Sequence, residues 1–278
     1  MSHADVVILK PETAARLCNL PRFQPTALRL LRVSAESDTA IEEFASIFRT
    51  DPALASELLQ HANSAEFGLR CRIADIRGAL LLLGTERTRA LAMTIGMSLY
   101  ARRSAHQREV RFLWRHSLAT AVIAEEIGRA GRLRLPDLYT CGLMHDLGRL
   151  GLLLSAGDEY GPLLSRSFRN LEEANELERV TFGTRHVEAG AFLARSWNFP
   201  SSLCDCILRH HDAVPRADSG LLPAVQAACF LAGQLGYPEV EELDPLPPEQ
   251  SAAARYQHLP ELEAGRLREL VGERTGEF

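Results

Sequence analysis

Apolar residues recur at three- and four-residue steps along most of this chain, and alternating β-branched runs bounded by turns are almost absent. A chain patterned this way buries its apolar surface by packing helix on helix, so the expected fold is all-α. The clearest stretch begins near Val110, where Phe112, His116, Ala119, Ile123 and Ile127 share one face up to Gly128 or Gly131, which points His116 inward. Upstream, Thr39-Ala40-Ile41-Glu42 fits a capping box and Asp51-Pro52 pairs a cap oxygen with a proline suited to the first helical position. A helix over Ile73–Leu83 should stop at Gly84, with Thr85 capping the next as far as Tyr100. Further helices are expected at Pro136–His145, Glu159–Arg169, Leu171–Val180, Arg185–Trp197, Pro200–His211 and Leu222–Leu235. Glu241–Gln250 reads as a linker to a polar helix at Pro260–Glu273, which packs on the body or on a second subunit in a homodimer.

Length allows two lobes, and 46% apolar with 24% charged residues is the balance of a soluble globular protein. The net charge of −5 comes largely from residues 241–278, with nine acidic residues against four basic. The nearly neutral remainder lacks the basic field that phosphate backbones require, which argues against nucleic acid. Arg70, Arg72, Arg77, Arg87 and Arg89 read as solvated helix faces. Six scattered cysteines suggest neither disulfides nor a zinc knuckle, and no apolar run is long enough to cross a membrane or to act as a secretory signal, so a cytoplasmic location is expected.

The chemistry resides in His116, His145-Asp146, His186 and His210-His211, which fall on four separate expected helices or helix ends. Any one inward histidine is ordinary core. Together they offer imidazoles and one carboxylate able to bridge two cations, a donor set that suits iron, manganese, nickel or zinc better than calcium or magnesium.

The order His, His-Asp, His, His-His resembles the ligand series of the HD superfamily, especially its HD-GYP phosphodiesterases. Leu20-Pro21, Pro25-Thr26-Ala27, Thr50-Asp51-Pro52-Ala53-Leu54, Ala62-Asn63-Ser64-Ala65 with Phe67-Gly68, Trp114-Arg115-His116-Ser117 and Gly142-Leu143-Met144-His145-Asp146-Leu147-Gly148 narrow the resemblance to the HDOD (HD-related output) domain. It implies a domain over 16–236, with an N-terminal helical bundle (16–108) packed on an HD-like lobe (109–236), followed by a linker and polar helix over 237–278. It also implies a bacterial signal-transduction module that acts through protein partners or a small nucleotide ligand. The alternative is a metal-dependent phosphohydrolase acting on a nucleotide or cyclic dinucleotide. By this likeness Asp146 bridges two metals and His186, His210 and His211 complete one site. The other site takes His116 and His145 but has Cys229 where a carboxylate belongs. A cysteine thiolate is a soft ligand that favours zinc, yet one set among Ala228, Phe230 and Leu231 reads as inert core and is not assigned to metal. Phe112 replaces an expected acidic residue, Arg149 replaces a lysine, and Gly236-Tyr237-Pro238 stands too late in the chain to be the GYP loop. One transition metal per chain, with little turnover, is the expectation.

Overall fold

The computed structural model describes residues 9–34, 37, 39–64, 67, 72–133, 135, 137–213, 220–240, 242–243, 253, 256 and 262–275. Among them are thirteen helices and one pair of two-residue strands, so the all-α expectation holds. The chain divides into two compact units, one of residues 22–100 and one joining 1–21 to 101–278.

The first unit contains α2 (Pro25–Arg32), α3 (Ala40–Arg49), α4 (Pro52–Ala62) and most of α5 (Ile76–Ala101). Its core gathers Leu30, Phe44, Phe48, Leu54, Leu58 and Leu80, all buried. Asp51 caps α4 as expected, accepting from the Leu54 N–H at 3.1 Å with Pro52 in the first turn. The Thr39 box does not form, because Thr39 already has helical dihedrals and its hydroxyl donates to Glu43 Oε1 instead. Gly84 interrupts α5 at the position expected, with φ 73° and ψ 169°, an extended positive-φ break that glycine tolerates and not a left-handed helical cap. Arg89 departs from its solvated reading: it is buried and donates to the Leu30 and Val33 carbonyls at the end of α2. Arg70 lies outside the described residues, as do Ala65 and Gly68 of the family-like motifs.

The second unit is built around α6 (Gln107–Ala130), against which α7 (Leu138–Met144), α12 (Leu221–Gln234) and α13 (Ala264–Thr275) pack. It also contains α1 (Pro11–Cys18), α8 (Leu147–Leu164), α9 (Leu171–Phe182), α10 (His186–Ser196) and α11 (Ser201–Arg209). Strands β1 (Ser167–Phe168) and β2 (Glu242–Leu243) pair in parallel. The helix expected at Glu159–Arg169 is corrected to α8, which starts at Leu147 and kinks at Ala156. Gly148 and Gly151 lie within this helix and serve close packing. A Cβ on Gly148 would lie 1.8 Å from the His186 carbonyl oxygen, and one on Gly190 would lie 2.8 Å from the Gly148 nitrogen. Glycine at both positions brings α8 and α10 into backbone contact. Gly142 does the same for α7 and α6, since its Cβ would sit 2.8 Å from Ala121 Cα.

Pro136, Pro260 and most of Glu241–Gln250 fall outside the described residues. α13 starts at Ala264 and packs on the body, with Leu267 and Val271 buried and Arg266 3.8 Å from Glu126. No helix among the described residues is long and apolar enough to cross a membrane.

Candidate metal centre

All six histidine and aspartate candidates converge within the second unit. His116 lies midway along α6, His145 and Asp146 form the junction of α7 and α8, His186 opens α10, and His210-His211 follow α11. Asp146 stands at a helix N-cap position yet makes no capping bond, which leaves its carboxylate free to turn inward. Oδ1 faces His210 Nε2 at 3.4 Å and His186 Nε2 at 3.5 Å, while Oδ2 faces His116 and His145 Nε2 at 3.7 Å each. The two oxygens thus serve two groups of imidazoles, joined by His211 on one side and Cys229 on the other.

Hydrogen bonds fix four of the imidazoles in one tautomer. Nδ1 of His116 lies 2.7 Å from the Tyr237 carbonyl, Nδ1 of His145 2.7 Å from that of Gly142, and Nδ1 of His210 2.8 Å from that of Ile207. Nδ1 of His186 lies 2.7 Å from Glu178 Oε2, which also accepts from the His186 backbone N–H. A carbonyl or carboxylate oxygen only accepts, so each Nδ1 carries the proton and each Nε2 turns a lone pair to the centre. Those lone pairs meet other acceptors. His116 and His145 Nε2 are 3.2 Å apart, and Asp146 Oδ1 and His210 Nε2 are buried without a hydrogen-bond partner, whereas His211 Nε2, 3.1 Å from His186 Nε2 and 3.3 Å from Glu239 Oε2, is free to donate to either.

Beneath Asp146 lies a buried guanidinium. Arg149 donates to Asp146 Oδ2 at 3.2 Å, to Glu178 Oε1 at 3.1 Å and to Glu239 Oε2 at 2.9 Å. The Tyr160 hydroxyl donates to Glu178 Oε1 at 2.7 Å. Burial pushes the Asp146 carboxyl upward, but Arg149, His145 and the neighbouring His210 and His186 outweigh it and hold the group well below its usual range. Burial likewise opposes ionisation of Glu178, where His186 and Arg149 prevail and bring it to about 2. Glu239 is held low against its burial by His211 and Arg149. Burial also lowers His145 and His210, which favours their neutral forms. Three buried carboxylates thus face a single guanidinium, an anionic surplus that suits the centre to a cation.

Glu178 and Glu239 escape the sequence reading. Glu178 could have been found, since it shares the buried stripe of α9 with Ala174 and Phe182 at four-residue steps. Glu239 has no such signal. It returns to the centre because Gly236, at φ 94°, turns the chain sharply after α12. The same turn brings the Tyr237 carbonyl to His116, so Gly236-Tyr237-Pro238 belongs to the centre through its backbone. Cys229, read as inert core, is buried with Sγ 3.6 Å from His116 Nε2.

Two groups of side chains offer ligand atoms that all lie within 4.8 Å of one another: Asp146, His186, His210 and His211 in one, and His116, His145 and Cys229 in the other. A family model described as the HDOD domain matches residues 20–213. An HDOD domain protein of unknown function from Geobacter sulfurreducens is similar in structure, with TM-score 0.71 and 24% identity over 96% of this chain and 93% of that one. A protein of Shewanella amazonensis, provisionally named a metal-dependent phosphohydrolase, aligns with TM-score 0.62 and 19% identity over 94% and 95% of the two chains. At these identities the likeness is one of fold. An uncharacterized protein of Treponema pallidum is 27% identical over 226 residues, which is 80% of this chain but 43% of that protein, so the chain spans less than half the relative's length. Motif order, helical architecture and family match agree, and the chain belongs to the HDOD domain family.

Proposed function

We propose that this chain is a signal-transduction module whose buried centre holds a transition metal at Asp146, His186, His210 and His211, and that it acts through binding rather than turnover. The observation that carries the proposal is the set of histidines locked by Nδ1–H bonds, with the Nε2 lone pairs of His186 and His210 aimed at an unpartnered Asp146 oxygen and those of His116 and His145 aimed at each other. Such an arrangement repels itself unless a cation lies at its middle. Iron, manganese, nickel and zinc all suit this donor set.

Hydrolysis of a nucleotide or cyclic dinucleotide is the competing reading, and the two-sided use of Asp146 favours it. Against it stands the burial of the ligands. His116, His145, Asp146, His186 and His210 are each 3% exposed or less, so a phosphodiester has little approach to ions held among them. Arg149 also occupies Asp146 Oδ2, where a second hard ion would draw its charge compensation. Elemental analysis of natively purified protein, paired with a cyclic-dinucleotide cleavage assay in added manganese or iron, tests the reading. Bound metal that is lost in His210→Ala, with negligible cleavage, is the expected result. A metal-free protein would refute the metal centre, and rapid cleavage would transfer the proposal to the enzyme.

A further inference from the structure

His116, His145 and Cys229 are the part of the centre that a hard-metal reading leaves unexplained. The Nδ1–H of His116 is committed to Tyr237 and that of His145 to Gly142, so their Nε2 lone pairs oppose each other at 3.2 Å inside the protein. The Cys229 S–H can donate to one of them, being 3.6 Å from His116 Nε2. It cannot also satisfy His145, whose Nε2 faces two acceptors, His116 Nε2 at 3.2 Å and Asp146 Oδ2 at 3.7 Å.

The spacings carry further information. In a tetrahedral zinc site, Zn–N bonds of about 2.0–2.1 Å and a Zn–S bond of about 2.3 Å place neighbouring nitrogens about 3.3 Å apart and nitrogen about 3.5–3.6 Å from sulfur. The observed separations are 3.2 Å and 3.6 Å. Charge points the same way. Asp146 Oδ2, the carboxylate oxygen nearest this group, already accepts from Arg149, so a thiolate is the anionic donor available to an ion held here.

Building on the metal-centre reading above, we propose that His116, His145 and Cys229 form a second, thiolate-containing site that selects zinc or a similarly soft divalent ion over manganese or magnesium. On binding, the Cys229 sulfur forms a bond to the ion and its proton passes to solvent; no oxidant or reductant is involved. The single metal expected from the sequence then becomes two ions of different chemistry. The soft ion closes one side of the centre as a structural element, which also explains the absence of a matched hard-ion pair.

Cobalt replaces zinc and reports its ligands by colour, which supplies the test. The full chain is stripped with chelator and titrated with cobalt(II), following the near-ultraviolet sulfur-to-cobalt charge-transfer band and the stoichiometry. The wild type should develop the band and bind two equivalents. Cys229→Ser should lose the band and one equivalent, while Cys206→Ser keeps both. His145→Gln provides a second variant, expected to lose the same equivalent, should the serine variant fold poorly. If cobalt binds the wild type without the band, or if the band survives in Cys229→Ser, the thiolate site is refuted and the Asp146 site stands. If no cobalt binds, both readings fall.

Discussion

Replacing Arg149 with methionine keeps most of the side-chain volume and removes one charge from the bottom of the centre. Arg149 is 0% exposed and contacts three buried carboxylates, at 3.2 Å to Asp146, 3.1 Å to Glu178 and 2.9 Å to Glu239. Breaking a buried ion pair by deleting one partner costs about 3–5 kcal/mol, because the partner left behind is an uncompensated buried charge. Here one deletion strands three such partners, so about 3–5 kcal/mol is a floor for a metal-free protein. In a unit of this size that corresponds to a fall in Tm of about 6–20 °C. Both tryptophans, Trp114 and Trp197, lie in the unit that contains the centre, so tryptophan fluorescence during a thermal scan isolates its unfolding. Saturating zinc or manganese should restore part of the loss, since an added cation compensates the same carboxylates. Arg149→Lys, which keeps the charge but cannot reach all three partners, should fall between the two. A drop below about 3 °C in chelator would show that the carboxylates take up protons or water at little cost, and the electrostatic account of the centre would be wrong.

Gly148→Ala places a methyl 1.8 Å from the His186 carbonyl and should destabilise by more than about 3 kcal/mol or abolish soluble expression, read by thermal melting. Gly161→Ala on the same helix, whose Cβ would meet nothing closer than 3.6 Å, should be neutral or slightly stabilising. Asp146→Asn keeps the shape but removes the shared charge; the equivalent of metal held with His186, His210 and His211 should be lost from elemental analysis, and stability should fall by about 1–3 kcal/mol as Arg149 loses an ionic partner. Metal affinity should weaken as pH falls from about 7.5 to 5, because each imidazole binds metal only through an unprotonated nitrogen; an indicator-dye competition that shows tighter binding at low pH would contradict this.

Periodicity alone sufficed for the class of fold, and with it for the inward phase of His116, because a 3.6-residue repeat tells directly which side chains face the core. The histidine and aspartate set was legible for a related reason: these residue types are rarely buried without partners, so their recurrence at helix ends stands out in one dimension. What the sequence could not show is how each side chain is oriented. The division of Asp146 into an oxygen for each group of imidazoles depends on the α7–α8 junction and on backbone contact between α8 and α10, which Gly148 and Gly190 permit. Nothing along the chain marks those glycines as contact points. Only the packed helices show them as points of close approach. Cys229 looked inert because its chain neighbours are apolar, whereas its chemistry is set by His116, 113 residues away. Arg149, Glu178 and Glu239 lie up to 90 residues apart, yet they form one charge network. Periodicity is a property of neighbours along the chain, while coordination and charge balance are properties of neighbours in space, and only the tertiary fold decides which residues those are.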